Sequence, residues 1–312
     1  MTRDTNMLGA YLRARRELVT PESAGLPQLG VRRVPGLRRE EVAMLAGISA
    51  DYYLRLEQGR DRNPSVQVLE SLARVLQLDD AATAYLLGLG SDRPRRARRR
   101  PRKEAVPAGI RGLLDSLPQP AFLEGRCFDV LAANAPATAL SPRLAAGRNR
   151  LRDVFLDPAE RALYPAWEEA TAALVAGFRE SVGTDIDDPR FIELVGELSL
   201  ASDRFRRLWA RHDVHAREGA SVTLDHPQVG PLTLNREKLL VSGSAGLLLV
   251  VYHADPGSDN DEKLRLLSSY QATARTAAAA DTRVPDARRH GRGEGAVRRR
   301  TPTAPDPSSD RV

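Results

Sequence analysis

The stretch from Leu37 to Gly59 constrains this chain more than any other. Val42, Leu45 and Ala46 recur at helical spacing and give a first short helix one apolar side. Gly47 follows at once, where a helix end commonly needs a left-handed residue. Ile48 is apolar and can plug the angle between two helices, and Ser49 is a good N-cap for the second. Tyr53 and Leu56 fall three apart and face the same core, and Gly59 closes the second helix. Two short helices joined by a tight turn make a helix-turn-helix. A helical hairpin inside another all-α domain is the competing reading. The surroundings favour the motif. A stripe of Leu8, Tyr11, Leu12 and Leu18 precedes it. Ser65 then caps a helix with Val66, Leu69, Leu72, Ala73 and Leu76, and Asp79 caps a last one with Tyr85, Leu86 and Leu89. Five helices are thus expected over about residues 8 to 90.

This run resembles the Xre, or phage-repressor, helix-turn-helix, in which a Gln-Glu-Glu-Leu-Ala helix is followed by Ala-Gly-Val-Ser and then by Ile-Glu-x-Gly. Leu56-Glu57-Gln58-Gly59 matches the closing motif, and Arg38 and Arg39 stand where many members carry Thr and Gln. The resemblance implies a DNA-binding domain whose second helix enters the major groove with its first residues against base edges. Ala50, Asp51, Tyr52 and Arg55 face outward there and are the expected base-reading set. Arg55 suits a bidentate contact to guanine. Asp51 has three open roles: to accept from a cytosine amine, to hold Arg55, or to favour the positive helix start. Tyr52 suits a base, a thymine methyl or a phosphate, and Ala50 permits close approach. Arg38, Arg39, Ser49, Gln58 and Asn63 are the expected contacts to the DNA backbone. Arg32 and Arg33, in the loop before Pro35-Gly36, either touch phosphates or form a solvated surface.

Charge and cysteine usage fit that class. The formal charge is +6, which favours an anionic partner without naming it. The single cysteine, Cys127, has no partner for an intramolecular disulfide. The N-terminus lacks a signal-peptide core, and the longest apolar run, Ala245 to Val251, is too short to cross a bilayer. The expectation is a cytoplasmic, nucleoid-associated protein with no membrane partner. Domain boundaries follow composition: 1–90 for the helix-turn-helix domain, 91–104 for a basic, flexible linker, 105–280 for a second domain, and 281–312 for a disordered tail rich in Arg, Pro, Gly and Ser.

Within the second domain, Ile110 to Leu117 suggests a short helix, and Ala121 to Leu123 with Cys127 to Ala132 a strand pair. Asn134 to Leu140 reads as a short helix. Longer helices are expected over Ala159 to Phe178 and Pro189 to Leu200, with a third carrying Phe205, Leu208 and Trp209. Strands return over Ser221 to His226, Pro231 to Val241 and Gly246 to Tyr252, and a helix with Leu264, Leu267 and Tyr270 follows. Strands in two groups around a helical insert predict an α+β domain with an antiparallel sheet.

The region resembles the ligand-binding domain of MmyB-like transcription regulators. Phe128-Asp129-Val130-Leu131-Ala132-Ala133-Asn134, Val154-Phe155-Leu156-Asp157-Pro158, Leu194 to Ser199, Phe205 to Val214, and His226-Pro227-Gln228-Val229-Gly230 carry the likeness. Ala133 departs from it, where many members have Trp beside the Asn. The resemblance implies a PAS-like sensor and a fatty-acid-like ligand, with Phe128, Leu131, Trp167, Phe205 and Trp209 as the pocket; core packing is the plainer role for Trp167, Phe205 and Trp209. No cofactor is expected. His212 and His215 do not complete a metal set, Ser244 is not in a nucleophile elbow, and no phosphate-cradling loop exists. The chain thus reads as a multidomain, non-enzymatic regulator: an all-α five-helix domain followed by an α+β PAS-like domain, binding double-stranded DNA as a homodimer. Two rival readings remain: a second domain used only for protein–protein interaction, and an enzyme tethered to DNA.

Overall fold

The computed structural model describes residues 6–27, 34–61, 63–91, 104–183, 187–216, 219–244 and 246–281, with side chains up to 270. Arg32, Arg33, nearly all of the basic linker and the tail after 281 lie outside the described residues. The chain divides into two units, Met1–Gln271 and Ala272–Val312, and the first carries everything below except residues 272–281 of the last helix.

Five helices build the amino-terminal region: α1 (Met7–Leu18), α2 (Arg39–Ala46), α3 (Ala50–Glu57), α4 (Val66–Val75) and α5 (Asp80–Gly90). Their starts are set by local chemistry. Ser49, Ser65 and Asp79 each accept a hydrogen bond from a backbone N–H three residues on, satisfying a donor the helix cannot satisfy itself. Gly47 ends α2 at φ 71, the left-handed region that sets the angle of the turn. Leu12, Leu37, Val42, Tyr53, Leu56, Leu72 and Leu86 are fully buried in one shared core.

The second region opens with α6 (Ala108–Ser116), β1 (Ala121–Glu124) and β2 (Val130–Ala133). A helical insert follows: α7 (Ala135–Leu140), a 3-10 turn, α8 (Arg150–Leu156), α9 (Pro158–Ala162), α10 (Trp167–Val182), α11 (Pro189–Ala201) and α12 (Asp203–Ala210). Strands β3 (Ala220–His226), β4 (Gly230–Leu240) and β5 (Leu248–His253) and helix α13 (Asp259–Asp281) complete it. The described strands form one antiparallel sheet in the order β2-β1-β5-β4-β3. The expected α+β class with an antiparallel sheet is what the chain adopts.

Asn134 locks the corner between strand pair and insert. Its carboxamide oxygen accepts from Ala121 N and Ala137 N, and its nitrogen donates to the Leu117 and Gln119 carbonyls, so a buried polar group is fully satisfied. Apolar side chains cover both faces of the sheet. Phe122, Leu232, Leu234, Val250 and Tyr252 share a cluster with Leu264 and Leu267 of α13, whereas Ala121, Leu123 and Leu249 share one with Leu114 of α6. A third cluster lies among α8, α10, α11 and α12.

Two expectations are corrected. The helix read over Ala159 to Phe178 is two, α9 and α10, because Pro165 has no N–H to donate and disfavours helical geometry before it. The freed Leu163 carbonyl accepts from Asp225 N at 2.8 Å, tying the break to β3. The strand read from Cys127 starts only at Val130. Phe128 takes φ 64 in a tight turn closed by its own N–H on the Gly125 carbonyl at 3.1 Å.

Candidate nucleic-acid interface

Helix α3 has two unlike sides. Tyr53, Leu56 and Glu57 are buried, while Ala50, Asp51 and Arg55 are exposed and Tyr52 is half-buried. Ser49 Oγ accepts from Tyr52 N at 3.1 Å and fixes the first turn. Asp51 and Arg55 form an ion pair one turn apart, and the Arg55 guanidinium lies 5.7 Å from the centre of the Tyr52 ring. Of the three roles open to Asp51, holding Arg55 is therefore realised in the free protein. Burial raises the Tyr52 hydroxyl pKa, with Asp61 adding to the rise, so the phenol stays a neutral donor at physiological pH.

The inward side is fixed by charge. Glu57 is 2 % exposed. Its two oxygens take Arg16 Nε at 2.7 Å and Arg39 Nε at 2.6 Å, and Arg16 also donates to the Leu37 carbonyl at 2.8 Å. Burial alone would raise the Glu57 pKa, but the hydrogen bonds from Arg16 and Arg39, with their charges, bring it below the ordinary carboxylate value. The pair pins α3 to α1 and to the start of α2. Arg39 therefore turns toward Glu57, with its side chain 41 % exposed, whereas Arg38 caps α2 and is exposed. Arg38 N donates to Glu41 Oε2 at 2.6 Å. Gln58 and Asn63 are exposed beyond the end of α3. The structure thus gathers Ala50, Asp51, Tyr52 and Arg55 on one face, flanked in sequence by Arg38, Ser49, Gln58 and Asn63. Sequence reasoning missed Glu57 and Arg16. A signal existed for Arg16: it lies four residues beyond Leu12, on the same buried stripe.

In the second region, Phe128, Trp167, Phe205 and Trp209 belong to or pack on one cluster. Phe205 and Trp209 stack at 5.8 Å with planes 7° apart. Phe155 meets both Phe205, at 5.4 Å, and Trp167, at 6.1 Å, edge to face. Leu131 stands apart from these four. It is the extra residue of a bulge, since Leu123 faces Ala132 and Glu124 faces Val130, and it packs toward α6. A buried pair, Arg150 Nη1 to Glu124 Oε2 at 2.5 Å, lies beside Phe122. Among the described residues no group of three or more His, Cys, Asp or Glu could hold a metal ion, and no helix is long and apolar enough to cross a membrane.

Comparison with known families decides the assignment. The MmyB-like transcription regulator ligand binding domain matches residues 106–267, over half of the 312-residue chain. The chain belongs to this family. A helix-turn-helix domain matches residues 7–86, which contain the whole α3 face. No curated protein matches the chain. As an MmyB-like regulator it combines a DNA-binding helix-turn-helix domain with a ligand-sensing domain. The description of the first family is that of a transcription regulator.

Proposed function

We propose that this MmyB-like regulator recognises a specific duplex sequence by laying α3 in the major groove, and that its second domain senses a small apolar, fatty-acid-like molecule. The exposed row of Ala50, Asp51, Tyr52 and Arg55, on a helix locked from behind by Glu57, carries the reading. Arg55 reads guanine, in exchange for its pair with Asp51, and Tyr52 and Ala50 meet neighbouring base edges. Arg38, Ser49, Gln58 and Asn63 position the phosphates, and Arg39 adds to them with the exposed part of its side chain. Phe128, Trp167, Phe205 and Trp209 supply the apolar surface on which a ligand rests. The working boundaries are 1–90, 91–104, 105–280 and 281–312. The protein acts in the cytoplasm on the nucleoid, as a homodimer of Xre type with a PAS-like sensor, because two recognition helices one turn of duplex apart sharpen binding.

Selection from random duplexes followed by gel shift tests the DNA reading. Arg55→Ala is expected to relax preference at one base pair, with a discrimination loss of about 1–3 kcal/mol. Arg38→Ala is expected to weaken all sequences alike and to flatten the salt dependence by about one counterion. Uniform loss in both variants would refute the assignment of roles.

A further inference from the structure

The residues that follow α12 enter the DNA-binding domain. Val214 is 2 % exposed and belongs to the apolar core of that domain, together with Tyr11, Leu12 and Leu86. Asp213 accepts from Arg15 Nη1 at 2.6 Å, with both side chains less than one-fifth exposed, and its other oxygen takes Arg211 Nε at 2.9 Å. The His212 ring stands edge-on to Tyr11 at 6.2 Å. Tyr11 in turn packs on Tyr85 at 5.3 Å, and its hydroxyl donates to the Ala82 carbonyl at 3.3 Å. One turn of the sensor domain is thus keyed into the crossing of α1 and α5.

Arg179 of α10 grips the same turn from the sensor side. It is 2 % exposed. Its guanidinium lies 3.7 Å from the centre of the Trp209 ring, donates to the Trp209 carbonyl, and approaches His212 Nδ1 at 3.2 Å and Tyr85 of α5. A buried charge of this kind persists only while acceptors and a π face converge on it. Trp209 also contacts Phe178 at 5.9 Å and Phe191 at 5.8 Å, so the residue holding Arg179 belongs to the aromatic cluster of the sensor. His212 takes φ 55, a left-handed conformation that costs energy for a residue with a side chain. Surrounding contacts, not local preference, hold the turn in place.

We propose that the 211–215 turn is a joint through which the aromatic cluster sets the docking of the DNA-binding domain. An apolar guest that displaces the Trp209 indole removes the π face from Arg179 and shifts its carbonyl acceptor. Arg179 then regains solvation only if the turn withdraws from α1 and α5. Withdrawal frees the domain from its fixed orientation, and operator affinity falls. The guest-driven half of this proposal rests on the apolar-ligand reading above; the docking half does not.

Full-length Arg15→Ala, Asp213→Ala and the double variant test the docking half without any ligand. Hydrogen exchange over 209–215 and affinity for an operator selected from random duplexes are the readouts. Each single change is expected to speed exchange at least tenfold and weaken operator binding at least fivefold, with the double no worse than the poorer single. Unchanged exchange and affinity in the singles, or effects that simply add, overturn the joint. Hexadecanoate is then the probe for the guest. It is expected to alter tryptophan emission in parent and double variant, but to weaken operator binding only in the parent. An equal response of operator affinity in both overturns the joint. If calorimetry and emission show that the parent does not bind hexadecanoate, the ligand reading fails and the double-variant cycle alone decides the joint.

Discussion

Glu57 shows how a charged residue becomes core. Its carboxylate is sealed between Arg16 and Arg39, and removing one partner of such a buried pair costs about 3–5 kcal/mol. Its folded pKa lies below the ordinary 4.5, so in falling pH the unfolded chain takes the proton first. The stability it contributes is fully present above pH 4.5 and is lost as pH falls through the folded value. His212 acts in a different window. Burial, then the charges of Arg179 and Arg15, lower its pKa from 6.5 to about 4. Between those values the unfolded chain holds a proton that the folded chain refuses, so stability drops as pH is lowered, by up to about 1.4 kcal/mol per unit. Tyr11 and Arg179 contact the ring, and Arg15, paired with Asp213, adds its charge. Urea unfolding from pH 3 to 8 separates the two residues. His212→Gln is expected to flatten the slope between pH 4 and 6.5, while Glu57→Gln leaves that slope intact and removes a drop below pH 4.5. A slope between 4 and 6.5 that survives in His212→Gln assigns it to other groups. The sequence carried a hint of Glu57, inside a motif that closes α3. It carried none of His212, whose partners are distant in the chain and whose backbone angle no local pattern encodes.

At the scale of elements, α1 and α3 touch through a glycine. A Cβ on Gly9 would sit 2.1 Å from the Glu57 carbonyl oxygen and 2.2 Å from Asn6 Nδ2. Asn6 fills the same junction, donating to the Glu57 carbonyl at 2.7 Å and accepting from Gly9 N at 2.9 Å. Gly9→Ala must therefore push the two helices apart. It is expected to destabilise the domain by about 1–3 kcal/mol in urea unfolding, despite the better helix propensity of alanine. A variant as stable as the parent would mean that α1 moves away without cost. Elements whose ends rest on neighbours in sequence were legible: Gly47, Ser49, Ser65 and Asp79 act within a turn of where they stand. Elements set by distant groups were not. The break at Pro165 was readable as a proline, yet its use, freeing the Leu163 carbonyl for Asp225, depends on β3. The bulge that turns Leu131 away from the aromatic cluster likewise depends on strand register, which alternation alone does not fix.

At the scale of the molecule, the helix-turn-helix core and the aromatic cluster meet at the 211–215 turn, and coupling through it would have a thermodynamic consequence independent of the path. If a guest in the cluster weakens operator binding by some factor, the operator must weaken guest binding by the same factor, because both complete one cycle. A factor of five corresponds to about 1 kcal/mol. That is small beside the loss expected on stripping a buried guanidinium of its partners, so only part of the strain at Arg179 needs to reach α1 and α5. Calorimetric titration of hexadecanoate into the free protein and into its operator complex is expected to give dissociation constants differing by the factor seen in gel shift, with the complex the weaker binder. Equal constants alongside a guest-dependent gel shift would break the cycle. The loss of DNA binding would then come from a process outside it, such as guest-driven aggregation.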